Sequence, residues 1–239
     1  MSSYGDKTPC LPYLKDKGIK LLIFDLDGTI LDSMNIWNKV DIDFLGRFGY
    51  EVDAEYTNVV KRVSIDDAAL YTKQRFNLPL TTDEIKKAWN DAVAAFYLNE
   101  VKLKEGALEY ISRAYEEGFA IAAATALTRT NAINALRHTG ILGRFNCVIT
   151  LEDMNSKVDK SSPDIFNKVL DYVNAITPGS PLLPSSALVF EDVFEAAMGA
   201  GRGAFATCAV YDPIGSHDME SWTLFSNSCN YSVKDWQDI

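Results

Sequence analysis

The sequence predicts an α/β fold in which a parallel sheet flanked by helices is interrupted, after its first strand, by an inserted all-helical segment. Three observations carry this. Leu21-Leu22-Ile23-Phe24 is a continuous apolar run that ends in an Asp/Gly cluster, the pattern of a buried parallel strand entering a turn. The next seventy residues carry only helical signals. From Glu105 onward, short apolar runs alternate with helical segments, as repeated βα units do.

Taken in order, Asp32 or Ser33 is the expected N-cap of a helix through about Phe48, with Ile36, Trp37, Val40, Phe44 and Phe48 at helical spacing and Gly49 as its stop. A second helix spans Ser64 to Arg75, opened by a capping-box-like Ser64 and Asp67. Thr81 and Glu84 repeat that device before a longer helix, whose Ile85, Ala88, Trp89, Ala92, Val93, Phe96 and Tyr97 form one apolar stripe. A helix then ends at Gly118, and a strand runs over Phe119 to Ala124. Further elements are a helix over Asn131 to His138, a strand at Cys147 to Thr150, a helix from Ser162 to Val173 and a strand at Ala187 to Phe190. Another helix ends near Gly201, and Ala204 to Val210 is the last clear strand. The expected architecture is a Rossmann-like core of residues 1–33 and 103–239 with a helical cap of residues 34–102.

Composition narrows the function. With 239 residues, 47% hydrophobic and 23% charged, the chain can bury a core and is not a disordered one. Its net charge of −10 repels nucleic-acid backbones and anionic lipid surfaces, so neither is an expected partner. A phosphorylated small molecule is still admissible where a metal ion and a local cation reverse the field. Cys10, Cys147, Cys208 and Cys229 are widely spaced, without zinc-site clustering, and read as reduced thiols. No apolar run reaches the ~20 residues of a membrane span, and the first twenty residues have no apolar signal core. A cytoplasmic location is expected.

In open parallel sheets, ligands sit beyond the carboxyl ends of the strands. Those ends carry Asp25, Asp27 and Thr29, then Thr125, then Glu191 and Asp192, with Lys160 just before a helix. Carboxylates, a hydroxyl and one ammonium suit Mg²⁺ and phosphate. Attack of a carboxylate on a phosphate dianion brings like charges together, at about 4 kcal/mol per unit pair at ~4 Å and an effective dielectric near 20, so positive charge is needed. Asp25 and Asp27 ending a buried strand are costly without a metal or hydrogen bonds. Thr29 reads as structural in the turn. Asp32 and Ser33 are explained by the helix cap. His138 and His217 are isolated, and no Ser/His/Asp or Cys/His spacing competes.

Phe24-Asp25-Leu26-Asp27-Gly28-Thr29 resembles the DxDGT signature of the haloacid dehalogenase-like superfamily, and Thr125, Lys160 and Glu191-Asp192 match its later motifs in order. At ~5 to 7% per residue type, four fixed positions arise by chance in fewer than about one chain in a hundred. The resemblance spans roughly Lys20 to Val210 and lies nearest the branch containing β-phosphoglucomutase and phosphoglycolate phosphatase. It implies a Mg²⁺-dependent phosphatase of a small phosphomonoester. Asp25 is the expected nucleophile, forming an aspartyl phosphate. Asp27 is the expected proton donor, its proton held by the surrounding negative charge. Leu26, Asp27, Thr125, Ala126 and Lys160 join Asp25 in holding the phosphoryl group. Asp25, Asp27 through its carbonyl, Glu191 and Asp192 are the expected metal ligands, with Glu191 first or second in line.

Two departures matter. The family usually shows Gly-Lys-Pro where this chain has Asp159-Lys160-Ser161, so Asp159 could divert the ammonium, and Lys157, three residues away, is a second lysine for the same place. The β-phosphoglucomutases carry an Arg after a Val-Ser step in the cap, where Val63-Ser64 is here followed by Ile65. That makes a mutase the runner-up, with Lys61 or Arg62 as possible substitutes. Dehalogenation is disfavoured because Asp27 is present. A non-catalytic phosphate sensor or receiver-like module is the remaining alternative, and the helical insertion speaks against it. A cap of this kind would close over the pocket and select the leaving group; the substrate and oligomeric state are not legible.

Overall fold

The computed structural model describes residues 7–60, 63, 65–154, 159–214 and 218–239. In chain order its principal elements are α1 (Leu11–Asp16), β1 (Leu21–Phe24), β2 (Leu31–Asp32), α2 (Ile36–Gly46), α3 (Ala54–Val60), α4 (Ile65–Arg75) and α5 (Thr82–Asn99). Then come β3 (Lys102–Leu103), α6 (Ala107–Glu116), β4 (Ala120–Thr125), α7 (Arg129–His138), β5 (Cys147–Thr150) and α8 (Asp164–Ile176). The chain finishes with β6 (Ala187–Glu191), α9 (Phe194–Arg202), β7 (Ala206–Val210), α10 (Met219–Ser228) and β8 (Tyr231–Val233). It forms two compact units, residues 1–34 with 101–239, and residues 35–100.

The first unit is an α/β layer structure. Its main sheet has the order β5-β4-β1-β6-β7-β8, and every pairing among the described residues is parallel. β1 lies at the centre, so it is buried on both faces and apolar at each position, whereas a sheet with one wet face would alternate. Side chains point alternately to the two faces. On one, Leu21 and Ile23 pack with Ile149, Val189 and the α8 residues Ile165, Phe166, Val169 and Val173. Elsewhere Phe24 stacks on Phe190 at 4.6 Å, and Trp236 and Tyr110 pack against Phe190 at 5.6 and 5.8 Å. The residues of β1, β4 and β6 run in register, Phe24 lying between Ala123 and Phe190, so the three strands end at one level.

The second unit is helical. Its longest helix, α5, buries Ile85, Trp89, Val93 and Tyr97, four of the seven predicted stripe residues, while the other three predicted positions are half-buried. Its N-terminus carries the predicted capping box, Thr81 and Glu84 satisfying each other's backbone N–H groups. Phe44 of α2 meets Trp89 edge-on at 6.0 Å. Tyr56, fully buried, lies in hydrogen-bond contact with Asp41 Oδ1 at 3.1 Å and Thr72 Oγ1 at 2.9 Å.

Several expectations need correction. The first helix of the insertion starts at Ile36 with Asn35 as its cap, because Asp32 is already committed to β2, opposite Lys102. Lys102, counted with the helical insertion from sequence, is therefore a strand residue. Trp37 and Phe48, placed on the buried stripe of that helix, are 46% and 36% exposed. Short α3, the two-residue strands β2 and β3, and the terminal α10 and β8 were not anticipated. Lys61, Arg62, Ser64, Lys157 and His217 lie outside the described residues. No helix among the described residues is long and apolar enough to cross a membrane.

Candidate active site

The parallel register brings the chemistry together. Asp25 follows β1 and its backbone N–H donates to the Phe190 carbonyl at 3.0 Å, which sets it beside Glu191, the last residue of β6. Asp192 is next in the chain. Asp25, Glu191 and Asp192 each offer a carboxylate oxygen within 4.8 Å of the others. Their exposures are 5%, 0% and 3%, so water cannot screen the repulsion among them.

The Lys160 ammonium meets two of them directly. Lys160, in the turn before α8, forms an ion pair and hydrogen bond with Asp25 Oδ1, and its Nζ lies 2.5 Å from Glu191 Oε1. Burial works to lower the Lys160 pKa, and the charges of Asp25 and Glu191 overcome it and raise it. The neighbouring Asp159 does not divert this ammonium. Its Oδ1 accepts instead from the N–H of Ser161 at 2.8 Å and from the Ser161 hydroxyl.

Three carboxylates against one ammonium leave the cluster negative. Burial pushes Glu191 well above the usual carboxylate range, against the pull of Lys160, and its Oε2 accepts no hydrogen bond among the described residues. Asp192 rises to about 7, through burial first and the Asp25 charge second, with Lys160, Lys104 and the Thr29 hydrogen bond opposing. An all-oxygen, buried, under-neutralised donor set with an orphaned carboxylate oxygen fits a hard divalent cation such as Mg²⁺.

The turn after β1 is shaped around these groups. Gly28 has φ +71°, and a Cβ there would lie 2.3 Å from Asp192 Oδ2, so only glycine lets Asp192 approach. Thr29, read from sequence as structural, donates its hydroxyl to Asp192 Oδ1 at 3.2 Å and so orients a candidate metal ligand. The Asp27 carboxylate is not part of the cluster of three. It accepts a 2.6 Å hydrogen bond from Ser33, which is 2% exposed. Ser33 was assigned to helix capping from sequence. The turn instead folds it back, through a bridge between Asp27 and Leu31, onto Asp27.

Leu26 has a fully buried side chain, so only its backbone can serve a ligand; Ala126 is exposed. Thr125, buried at the end of β4, accepts from the Leu127 N–H at 3.1 Å, and the cap of α7 is Thr128, which accepts from the Asn131 N–H. A plain N-cap role for Thr125 is thereby excluded.

A buried Asp and Lys pair, with a second and third carboxylate beside it, thus stands at the carboxyl edge of the parallel sheet. The family model for haloacid dehalogenase-like hydrolases matches residues 22–197, and the chain belongs to that family. The chain is 24% identical over 219 residues to (DL)-glycerol-3-phosphatase 2 of Arabidopsis thaliana, covering 90% of each chain. The fold is shared with a Thermotoga maritima protein provisionally called a β-phosphoglucomutase, at TM-score 0.77 and 17% identity over 90% of this chain and 94% of that one. CbbY from Rhodobacter sphaeroides, solved with phosphate, gives 0.66 at 18% identity, covering 91% and 95%.

Proposed function

We propose that the chain is a magnesium-dependent phosphatase of a small phosphorylated metabolite and works through an aspartyl phosphate on Asp25. The observation that supports this most is the ion pair of Lys160 with Asp25 inside a buried, still-negative carboxylate cluster. A charge arrangement of this kind is costly in an empty fold and useful when a phosphate and a cation enter together.

Lys160 fixes the Asp25 carboxylate and carries the positive charge that a phosphate oxygen meets. An Asp25 oxygen attacks phosphorus, the bond from phosphorus to the ester oxygen breaks, and Asp27 gives the departing alkoxide its proton. Asp27 then takes a proton from water, whose oxygen attacks the phosphoryl group. The bond from Asp25 to phosphorus breaks, releasing inorganic phosphate and restoring the carboxylate. Thr125 and the backbone N–H groups of Leu26, Asp27 and Ala126 hold the equatorial oxygens. Magnesium, held by Asp25, Asp192, the Asp27 carbonyl and Glu191 directly or through water, would supply charge neutralisation at the phosphate. The net charge of −10 argues against nucleic-acid substrates, and the four free cysteines suit a reducing, cytoplasmic compartment.

The test is release of inorganic phosphate from a panel of phosphate esters, with and without EDTA, by the parent chain and by Asp25→Asn. Metal-dependent turnover lost in the variant is the expected result. Full retention of turnover in Asp25→Asn would overturn the nucleophile assignment. An isomerised sugar phosphate from a hexose 1-phosphate would make the protein a mutase, and a phosphorylated protein that never turns over would make it a sensor.

A further inference from the structure

The mechanism leaves one buried cation unused. Lys104, just after β3, has a side chain only 15% exposed, and its ammonium meets three acceptors on two segments distant from it in sequence. It donates to the Gly28 carbonyl, to the Tyr211 carbonyl at 2.9 Å and to Asp212 Oδ2 at 2.9 Å. Asp212 is itself fixed, its side chain 4% exposed and its Oδ1 accepting the Ile214 N–H at 2.8 Å. The Lys104 N–H in turn donates to the Ile30 carbonyl at 2.9 Å, and the intervening Thr29 carbonyl accepts from Trp236 Nε1 at 3.0 Å. Three successive carbonyls of the turn that follows Asp27 are thus each held from outside the turn.

We propose that Lys104 is a positioning residue of the active site: its ammonium, anchored on Asp212, holds the Gly28 carbonyl and so fixes the turn that carries Asp25 and Asp27. Its consequence for turnover rests on the phosphatase reading. Stability alone is a poor account of the pair, because a buried ion pair is often no more stabilising than an apolar replacement. Geometry is a better one. Gly28 is wedged between Asp192 Oδ2 on its Cβ side and Lys104 at its carbonyl, so freeing the carbonyl lets the peptide rotate and carries the neighbouring carboxylates with it.

The variants are Lys104→Met, Lys104→Arg and the doubly neutral Lys104→Met/Asp212→Asn, which leaves no unpaired buried charge. Hydrogen exchange reads the turn directly, through the amides of Gly28, Ile30 and Leu31, which bond within it. Both Met-containing variants should exchange these amides about tenfold faster, the loss of one hydrogen bond to a charged group, with α8 and β6 unchanged. Hydrolysis of p-nitrophenyl phosphate should show kcat reduced about tenfold and KM within about twofold, with partial rescue by Lys104→Arg. Exchange at the parent rate in both Met variants would overturn the positioning role. Faster exchange with unchanged kcat would overturn its catalytic consequence. A parent chain inactive on every ester would overturn the phosphatase reading instead, and the exchange rates would still decide the role of Lys104 in the turn.

Discussion

A Cβ on Gly199 would stand 2.4 Å from the Lys160 carbonyl oxygen and 2.7 Å from the carbonyl carbon and oxygen of Ser161. The turn that presents the Lys160 ammonium is seated on the bare backbone of α9, and Arg202 of the same helix donates to the Ser161 carbonyl. Both neighbours are main chain, so neither can swing aside. Gly199→Ala should therefore improve helix propensity by about 1 kcal/mol and yet displace Lys160 from Asp25. A misplacement near 1 Å costs about a hundredfold in turnover. We expect kcat for p-nitrophenyl phosphate to fall by that order, and the melting temperature to fall as well, since an overpacking cost of about 1–3 kcal/mol exceeds the propensity gain. Unaltered kcat would show that the turn tolerates a shift of its seat.

The hydroxyl of Ser33 donates to Asp27, and it belongs to no element that contacts substrate in the proposed chemistry. Ser33→Ala removes one hydrogen bond to the Asp27 carboxyl, worth about 1 kcal/mol or more. In the proposed chemistry the Asp27 carboxyl acts on the leaving oxygen, while only its backbone N–H holds the phosphoryl group, so the loss should fall on kcat, by about fivefold or more, with KM nearly constant. Steady-state kinetics on p-nitrophenyl phosphate checks this. A rise in KM at constant kcat would contradict the positioning of Asp27 by Ser33.

The parts of the site that the sequence displays are those that end strands. Asp25, Thr125, Glu191 and Asp192 each terminate or follow an apolar run, and parallel pairing of adjacent strands is enough to bring such ends together. Lys160 carried its own warning in Asp159, and only the structure shows that acid spent on Ser161. Ser33, Lys104 and Gly199 were not legible for a common reason. Each acts through a backbone or side-chain contact set by a turn or a helix approach, and nothing in residue type or period announces it. The same holds for β2, β3 and β8, too short for a period to develop, and for α10, which buries only Trp222 and Phe225.

Metal binding should be visible as stability. Glu191 is fully buried with one oxygen lacking any hydrogen bond among the described residues, in a cluster of three carboxylates and one ammonium. Glu191→Gln removes a negative charge while Asp25 keeps Lys160 paired. In EDTA the variant should melt above the parent, by about 2–4 °C for each kcal/mol of relieved repulsion in a chain of this size. Added Mg²⁺ should then raise the melting temperature of the parent more than that of the variant, since a ligand stabilises in proportion to its affinity for the folded state. Thermal melts with EDTA and with Mg²⁺ decide it. Equal magnesium increments in the two proteins would remove Glu191 from the metal site.

The helical unit carries a titratable group of its own. Asp41 is 8% exposed, and burial pushes its pKa to about 6, against the lowering effect of the Tyr56 hydroxyl bonded to its Oδ1. In the unfolded chain the same carboxyl titrates near 3.9. The folded state therefore binds the proton more tightly, and the unfolded state sheds it first as pH rises. The Asp41 contribution to stability is intact below about pH 4 and is lost as pH climbs through the folded value near 6, to a total of roughly 3 kcal/mol. Asp41→Asn keeps an oxygen for Tyr56 and cannot ionise. At pH 8 it should be more stable than the parent by an amount approaching that figure, and by less than about 1 kcal/mol at pH 4.5. Urea unfolding at the two pH values measures both differences, and a gap independent of pH would mean that Asp41 is not buried as a neutral acid.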